Sequence, residues 1–166
     1  MLVFVCSPNA RPLKSAPVEA FAVAAAAQRA GKRAYIQPYG DGQLLRRLLA
    51  DLTPRMLLFV GHADATHPYS REYTLGLTDE NGGLVRLLPE TLVDVLGSAK
   101  LELVVLNGCE SEALGIEVAK SGGVATVCWR TKLLDEVAAL YSPALFEHLL
   151  HPVSYTHLTL PTIYSV

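Results

Sequence analysis

The stretch Leu101–Leu114, LELVVLNGCESEAL, decides the fold. An apolar run from Leu101 to Leu106 ends abruptly at Asn107-Gly108, and Cys109 follows at once. A short run that is apolar throughout, without alternation, belongs to a strand buried on both faces. Ser111 to Lys120 then carries a helical pattern, stopped by Ser121-Gly122-Gly123. The stretch is thus a buried strand, a sharp corner bearing a thiol, and a helix.

Outward from this corner the same alternation recurs. Leu2 to Cys6 reads as a buried strand closed by Ser7-Pro8-Asn9. Val18 to Ala30 is an alanine-rich helix with Gly31 as its stop, and Arg33 to Gln37 is a weaker strand. Gln43 to Leu52 is an amphipathic helix with Leu44, Leu45, Leu48 and Leu49 on one face. Met56 to Val60 is a strand ended by Gly61-His62, and Ala63 to Tyr73 reads as a polar loop. Thr74–Leu77 and Leu84–Leu87 flank turn residues at Asp79 to Gly83 and predict a β-hairpin. A helix from Pro89 to about Leu96, a strand from Val124 to Cys128 and a helix from Asp135 to about Leu150 complete the chain. Strands and helices in alternation predict an α/β fold of three layers, a mostly parallel sheet flanked by helices.

The pattern forms one domain, 1–151. The 15 residues 152–166 contain no Lys, Arg, Asp or Glu, and VSYTHLTLPTIYSV resembles a translated cloning or adaptor tail. That segment is expected to be non-native, with the native chain cut short near His151.

Of the 166 residues 51% are hydrophobic and 18% charged, a globular composition with material for a core. A formal net charge of −2 argues against nucleic acid or an anionic membrane as partner. No apolar run approaches the roughly 20 residues of a bilayer span. Met1-Leu2-Val3-Phe4-Val5 lacks the basic flank of a signal peptide. The three cysteines, Cys6, Cys109 and Cys128, are few and odd in number, which fits a reducing compartment and a cytoplasmic location.

In open α/β sheets ligands bind beyond the carboxyl ends of the strands. Two such ends carry reactive groups, His62 after one strand and Cys109 after another. If the strands are neighbours, imidazole and thiol share a rim. Unpaired N–H groups at the start of the next helix would favour a thiolate, with His62 as base or imidazolium partner. Backbone N–H groups of Ala63 and Cys109 would hold an oxyanion, and Gly108 would allow the tight turn. Position alone leaves a second reading open, a core thiol beside a hydrogen-bonded loop histidine.

Gly61-His62, the hairpin LGLTDENGGLVRLL, LELVVLNGCES and GGVATVCWRTKLLDEVAALYSPALFEHLL, in that order, resemble a CHAT domain of the caspase-like cysteine peptidases. The likeness runs from about Leu2 to Leu150 and implies a caspase-like fold. It also implies a cysteine endopeptidase in which His62 is the base and Cys109 the nucleophile that forms a thioester with a peptide substrate. No cofactor and no metal are implied. CHAT domains are often joined to repeat regions that control them, so a regulatory repeat protein is a further expected partner. Two residues depart from the pattern. Ala63 stands where a smaller residue is usual. Asn107 stands where related metacaspases carry an acid that binds basic side chains. The chain also stops where the family usually continues with a further helix. These departures motivate the alternative, a catalytically inactive CHAT domain that serves protein interaction. A small-ligand-binding α/β protein is a second rival.

Around the dyad, Trp129 is a candidate for a substrate pocket wall, and the resemblance to the related separases implies that Asp135 could supply a negative charge to a basic substrate side chain. Their plainer roles are a core tryptophan and the N-cap of the last helix. Glu110 is expected to face solvent, and Cys6 and Cys128 to be core residues. A zinc site of His62, His67 and Cys109 has no supporting CxxC or HExxH spacing. His148 and His151 are expected to meet helix-end carbonyls.

Overall fold

The structure, a computed structural model, describes residues 1–66 and 73–151. In chain order the elements are β1 (Leu2–Val5), α1 (Ala16–Arg29), β2 (Tyr35–Gln37), α2 (Gly42–Leu52), β3 (Met56–Val60) and β4 (His62–Thr66). There follow β5 (Tyr73–Thr78), β6 (Leu84–Leu87), α3 (Pro89–Gly97), β7 (Leu103–Asn107), α4 (Glu112–Gly122), β8 (Ala125–Val127) and α5 (Asp135–Leu150).

The apolar runs form one parallel sheet in the order β2-β1-β3-β7-β8. Because side chains on a strand alternate between faces, each run feeds two cores. Leu2, Phe4, Leu57, Phe59, Val104 and Leu106 point to one face, where α2, α3, α4 and the hairpin close over them. Val3, Val5, Leu58, Val60 and Val105 point to the other, against Ala16, Ala20 and Val23 of α1 and Phe146 of α5. This double burial is why these strands show no apolar–polar alternation. The predicted three-layer α/β architecture is the one observed, a mostly parallel central sheet between helical layers.

The expected polar loop after Gly61 is instead strand β4 at its start, His62 to Thr66. It pairs antiparallel with β5 at His62↔Gly76, Ala65↔Thr74 and Thr66↔Tyr73, and β5 pairs with β6 in a second sheet. HADAT has no strand-like pattern; its conformation is set by the β5 backbone beside it, where context overrides propensity. Asp135 is not the N-cap of α5, a position taken by Leu134. Its carboxylate instead accepts from the N–H of Ser15, the N-cap of α1, at 2.8 Å, and so ties α5 to the start of α1.

His148 bonds the Ala144 carbonyl through Nδ1 at 2.7 Å, whereas His151 reaches the Glu147 carboxylate at 3.4 Å. Among the described residues no helix is long and apolar enough to cross a membrane. Residues 152–166, the expected tail, lie outside the described residues.

Candidate active site

β3 and β7 are adjacent and parallel, with Val60 opposite Asn107. His62 and Cys109 each stand two residues beyond that pair, so the two chains leave the same sheet rim side by side. Contact continues past the sheet, where the Gly61 N–H donates to the Asn107 carbonyl at 3.3 Å. Gly108 has no room for a side chain, since a Cβ there would lie 2.6 Å from the Gly61 carbonyl oxygen and 3.0 Å from the Ala63 Cβ. The glycine is therefore needed for close approach. The left-handed residue of the corner is Glu110, at φ +53°, a conformation that strains a residue with a side chain.

His62 and Cys109 line one cavity of about 130 Å³. Its wall combines the ends of β3 and β7 with Arg11 and Leu13 from the loop after β1, Glu19 of α1, Leu133, and Asp135 and Ala138 of α5. The site thus lies beyond the carboxyl ends of the parallel strands, near the β1/β3 switch in strand order.

His62 is buried, and its Nε2 lies 2.8 Å from the Arg11 carbonyl oxygen. A carbonyl only accepts, so Nε2 carries the hydrogen and Nδ1 is the basic nitrogen of the neutral ring. The Cys109 sulfur is half-buried and faces Leu133, accepting from its N–H and donating to its carbonyl, each at 3.3 Å. Helix α4 begins only at Glu112, so the expected help from its first N–H groups is replaced by the Leu133 backbone.

The two N–H groups expected to hold an oxyanion part company. Among the described residues the Cys109 N–H has no acceptor. Ala63 is fully buried and absent from the cavity wall.

Behind the cysteine lies a buried polar network. Asn107 Nδ2 donates to Glu19 Oε1 at 2.6 Å and to Ser142 Oγ at 2.9 Å, and Asn107 Oδ1 accepts from Trp129 Nε1 at 2.7 Å. Trp129 therefore braces Asn107 from behind, packs edge-on against Tyr141 and does not line the cavity. Asp135 does line it. Burial pushes the Glu19 carboxyl up to about 7, partly offset by polar contact with Ser142 and Asn107 and reinforced by the negative charge of Asp135. Burial likewise pushes the Cys6 thiol up to about 12, as befits a core residue. Cys128 is half-buried at the edge of the core.

Arg11, Glu19 and Leu133 are absent from the sequence-based candidates. Arg11 and Leu133 act through backbone atoms and leave no side-chain signal. Glu19 leaves one, a lone acid on the apolar face Ala16, Ala20, Val23 of α1. Among the described residues no three His, Cys, Asp or Glu are placed to hold a metal, and His67 of the zinc alternative lies outside them.

The family model of the CHAT domain matches residues 4–134. The chain belongs to the CHAT-domain family. No curated protein matches it in sequence. In fold, this CHAT domain is similar to a secreted C11 cysteine protease from Bacteroides thetaiotaomicron, solved in complex with an irreversible peptide inhibitor. The TM-score is 0.55 at 13% identity, over 89% of this chain and 56% of that one. The CHAT domain thus spans a little over half the length of that protease, with which it shares the caspase-like architecture.

Proposed function

We propose that this CHAT domain is a cysteine endopeptidase acting through His62 and Cys109. The observation that carries the reading is their shared cavity, at the ends of adjacent parallel strands, with the imidazole held by the Arg11 carbonyl. In this mechanism the Cys109 thiolate attacks a peptide carbonyl carbon and the oxyanion takes the Cys109 N–H. His62, protonated, gives its proton to the departing amine as the C–N bond breaks and a thioester forms. It then takes a proton from water as the hydroxyl adds to the thioester carbonyl. The carboxylic acid leaves, and the sulfur returns as thiolate. The fold shared with a C11 cysteine protease supports this reading. Three free thiols among the described residues fit a reducing, cytoplasmic setting. A protein or peptide would be the substrate, and a regulatory repeat region would be a further partner.

Alkylation by iodoacetamide at pH 6.5 tests the dyad. Cys109 should react faster than a cysteine in a model peptide, His62→Ala should slow it at least tenfold, and Cys109→Ala should abolish cleavage of an unfolded protein substrate. A Cys109 that reacts like the model peptide, with or without His62, removes the endopeptidase.

One observation favours a catalytically silent interaction domain. The Cys109 S–H donates to the Leu133 carbonyl, so the thiol is engaged by the protein's own backbone. That domain would show ordinary thiol reactivity while keeping its fold.

A further inference from the structure

The helical layer formed by α1 and α5 is apolar on the side that faces solvent. The two helices run parallel, tied at one end by Ser15 and Asp135 and at the other by Arg29 and Glu147. Residues 16–27 of α1 hold a single charge, Glu19, which turns inward, while Val18 and Phe21 are 67% and 69% exposed. At the same level of α5, Val137 is exposed and Leu140 is 76% exposed. A helix that is apolar on every side belongs in an interior, and a contiguous exposed apolar patch marks an interaction site. The ridge that carries Leu140 indicates what covers it. Glu136, Leu140, Ala144 and His148 recur every four residues, so they line up along the outer side of α5, and all four are exposed. Laid antiparallel against a copy of itself, that ridge is complementary: acid meets base, and large meets small. Glu136 in the first turn and His148 in the last stand about 18 Å apart, each at the helix end that favours its charge. Among the described residues Glu136 has no partner, and His148 uses only Nδ1, on the Ala144 carbonyl.

We infer that the occupant is a second copy of this chain, with the two α5 helices packed antiparallel across a two-fold axis level with Ser142. That axis sets Glu136 of one copy opposite His148 of the other, and Leu140 of one opposite Ala144 of the other. Each contact occurs twice, as an isologous interface requires. At the shallow crossing of about 20° usual in helix bundles, the side chains of one ridge reach those of the other. Val18 and Phe21 of α1 extend the apolar surface beside the ridge. A partner of unrelated sequence would need no such symmetry under reversal. Asp135 and Ala138 belong to the cavity wall, so the paired face is not the face of the Cys109 cavity.

Sedimentation velocity of the whole chain under reducing conditions, over a concentration series, tests the pairing. The wild type should dimerise with a dissociation constant of about 10 μM or tighter. Leu140→Glu should weaken the dimer at least tenfold. Glu136→Arg should weaken it at least threefold, and Glu136→Arg combined with His148→Glu, which reverses the pair, should recover the wild-type constant within twofold. A wild-type chain that stays monomeric throughout the series overturns the inference and leaves the face to a partner of another sequence. A dimer indifferent to Leu140→Glu is made by another surface and overturns it too, as does a charge reversal that fails to restore what Glu136→Arg removes. Circular dichroism checks the helix content of each variant; should Leu140→Glu fail to fold, the charge exchange decides.

Discussion

Asn107 Nδ2 lies 2.6 Å from Glu19 Oε1, while Glu19 Oε2 is buried with no partner among the described residues. The carboxylate is therefore only half provided for. Its proton is held more tightly in the folded chain, at about 7, than at the ordinary value of 4.5. The folded state thus binds more protons than the unfolded one between those values. Stability from this group is full below about 4.5, is lost as pH rises toward 7 and changes little above that. The shift corresponds to about 3 kcal/mol. Glu19→Gln keeps an acceptor for Asn107 and removes the charge, so its stability relative to wild type should rise by about 2–3 kcal/mol from pH 4.5 to pH 8. Urea unfolding at both pH values measures it. A constant difference would show that Glu19 is paired or solvated.

Asn107→Asp sets a second carboxylate against the first and removes the donor to Glu19 and Ser142. Breaking such a buried contact costs about 1–3 kcal/mol, more when a charge is left unpaired. The variant should be less stable than wild type at pH 5 and still less at pH 8. If the deficit at pH 8 is no larger than at pH 5, the two acids do not face each other.

Gly108→Ala tests the close approach of the two strand ends. The added Cβ meets a backbone oxygen at 2.6 Å, which cannot turn aside as a flexible side chain would. Overpacking of this kind costs about 1–3 kcal/mol. A lower urea midpoint and slower iodoacetamide labelling of Cys109 are expected together. Unchanged stability would mean that the rim is looser than the structure places it.

What was legible in the sequence follows from how each feature is encoded. The central strands were readable because burial on both faces leaves uninterrupted apolar runs such as LLFV and LVVL. That His62 and Cys109 each follow a strand end is readable, whereas the pairing of β3 with β7 that makes them neighbours is a tertiary fact no local pattern encodes. Strand β4 was not legible, because its pairing partner, β5, lies beyond residues 67–72 and supplies what HADAT lacks. The Arg11 and Leu133 contacts use backbone atoms, which any residue carries. Asp135 stands at a helix start, the usual place of an N-cap, yet its carboxylate accepts from the N–H of Ser15, 120 residues away in sequence, a contact that no local pattern predicts. Glu19 left a readable mark, a carboxylate among alanines and valine.

Trp129 separates a wall from a brace. As a wall of the cavity, its replacement would alter the rate at which iodoacetamide labels Cys109. As placed, it stands behind Asn107 and donates Nε1–H to Oδ1 at 2.7 Å. Trp129→Phe keeps the ring against Tyr141 and removes only that donor, leaving a buried amide oxygen without its partner. The loss should be about 1–3 kcal/mol in urea unfolding. The rate of Cys109 labelling should stay within twofold of wild type, because Asn107 keeps its contacts to Glu19 and Ser142. A labelling rate that collapses while stability holds would put Trp129 at the cavity wall and move the cavity to the other side of Asn107.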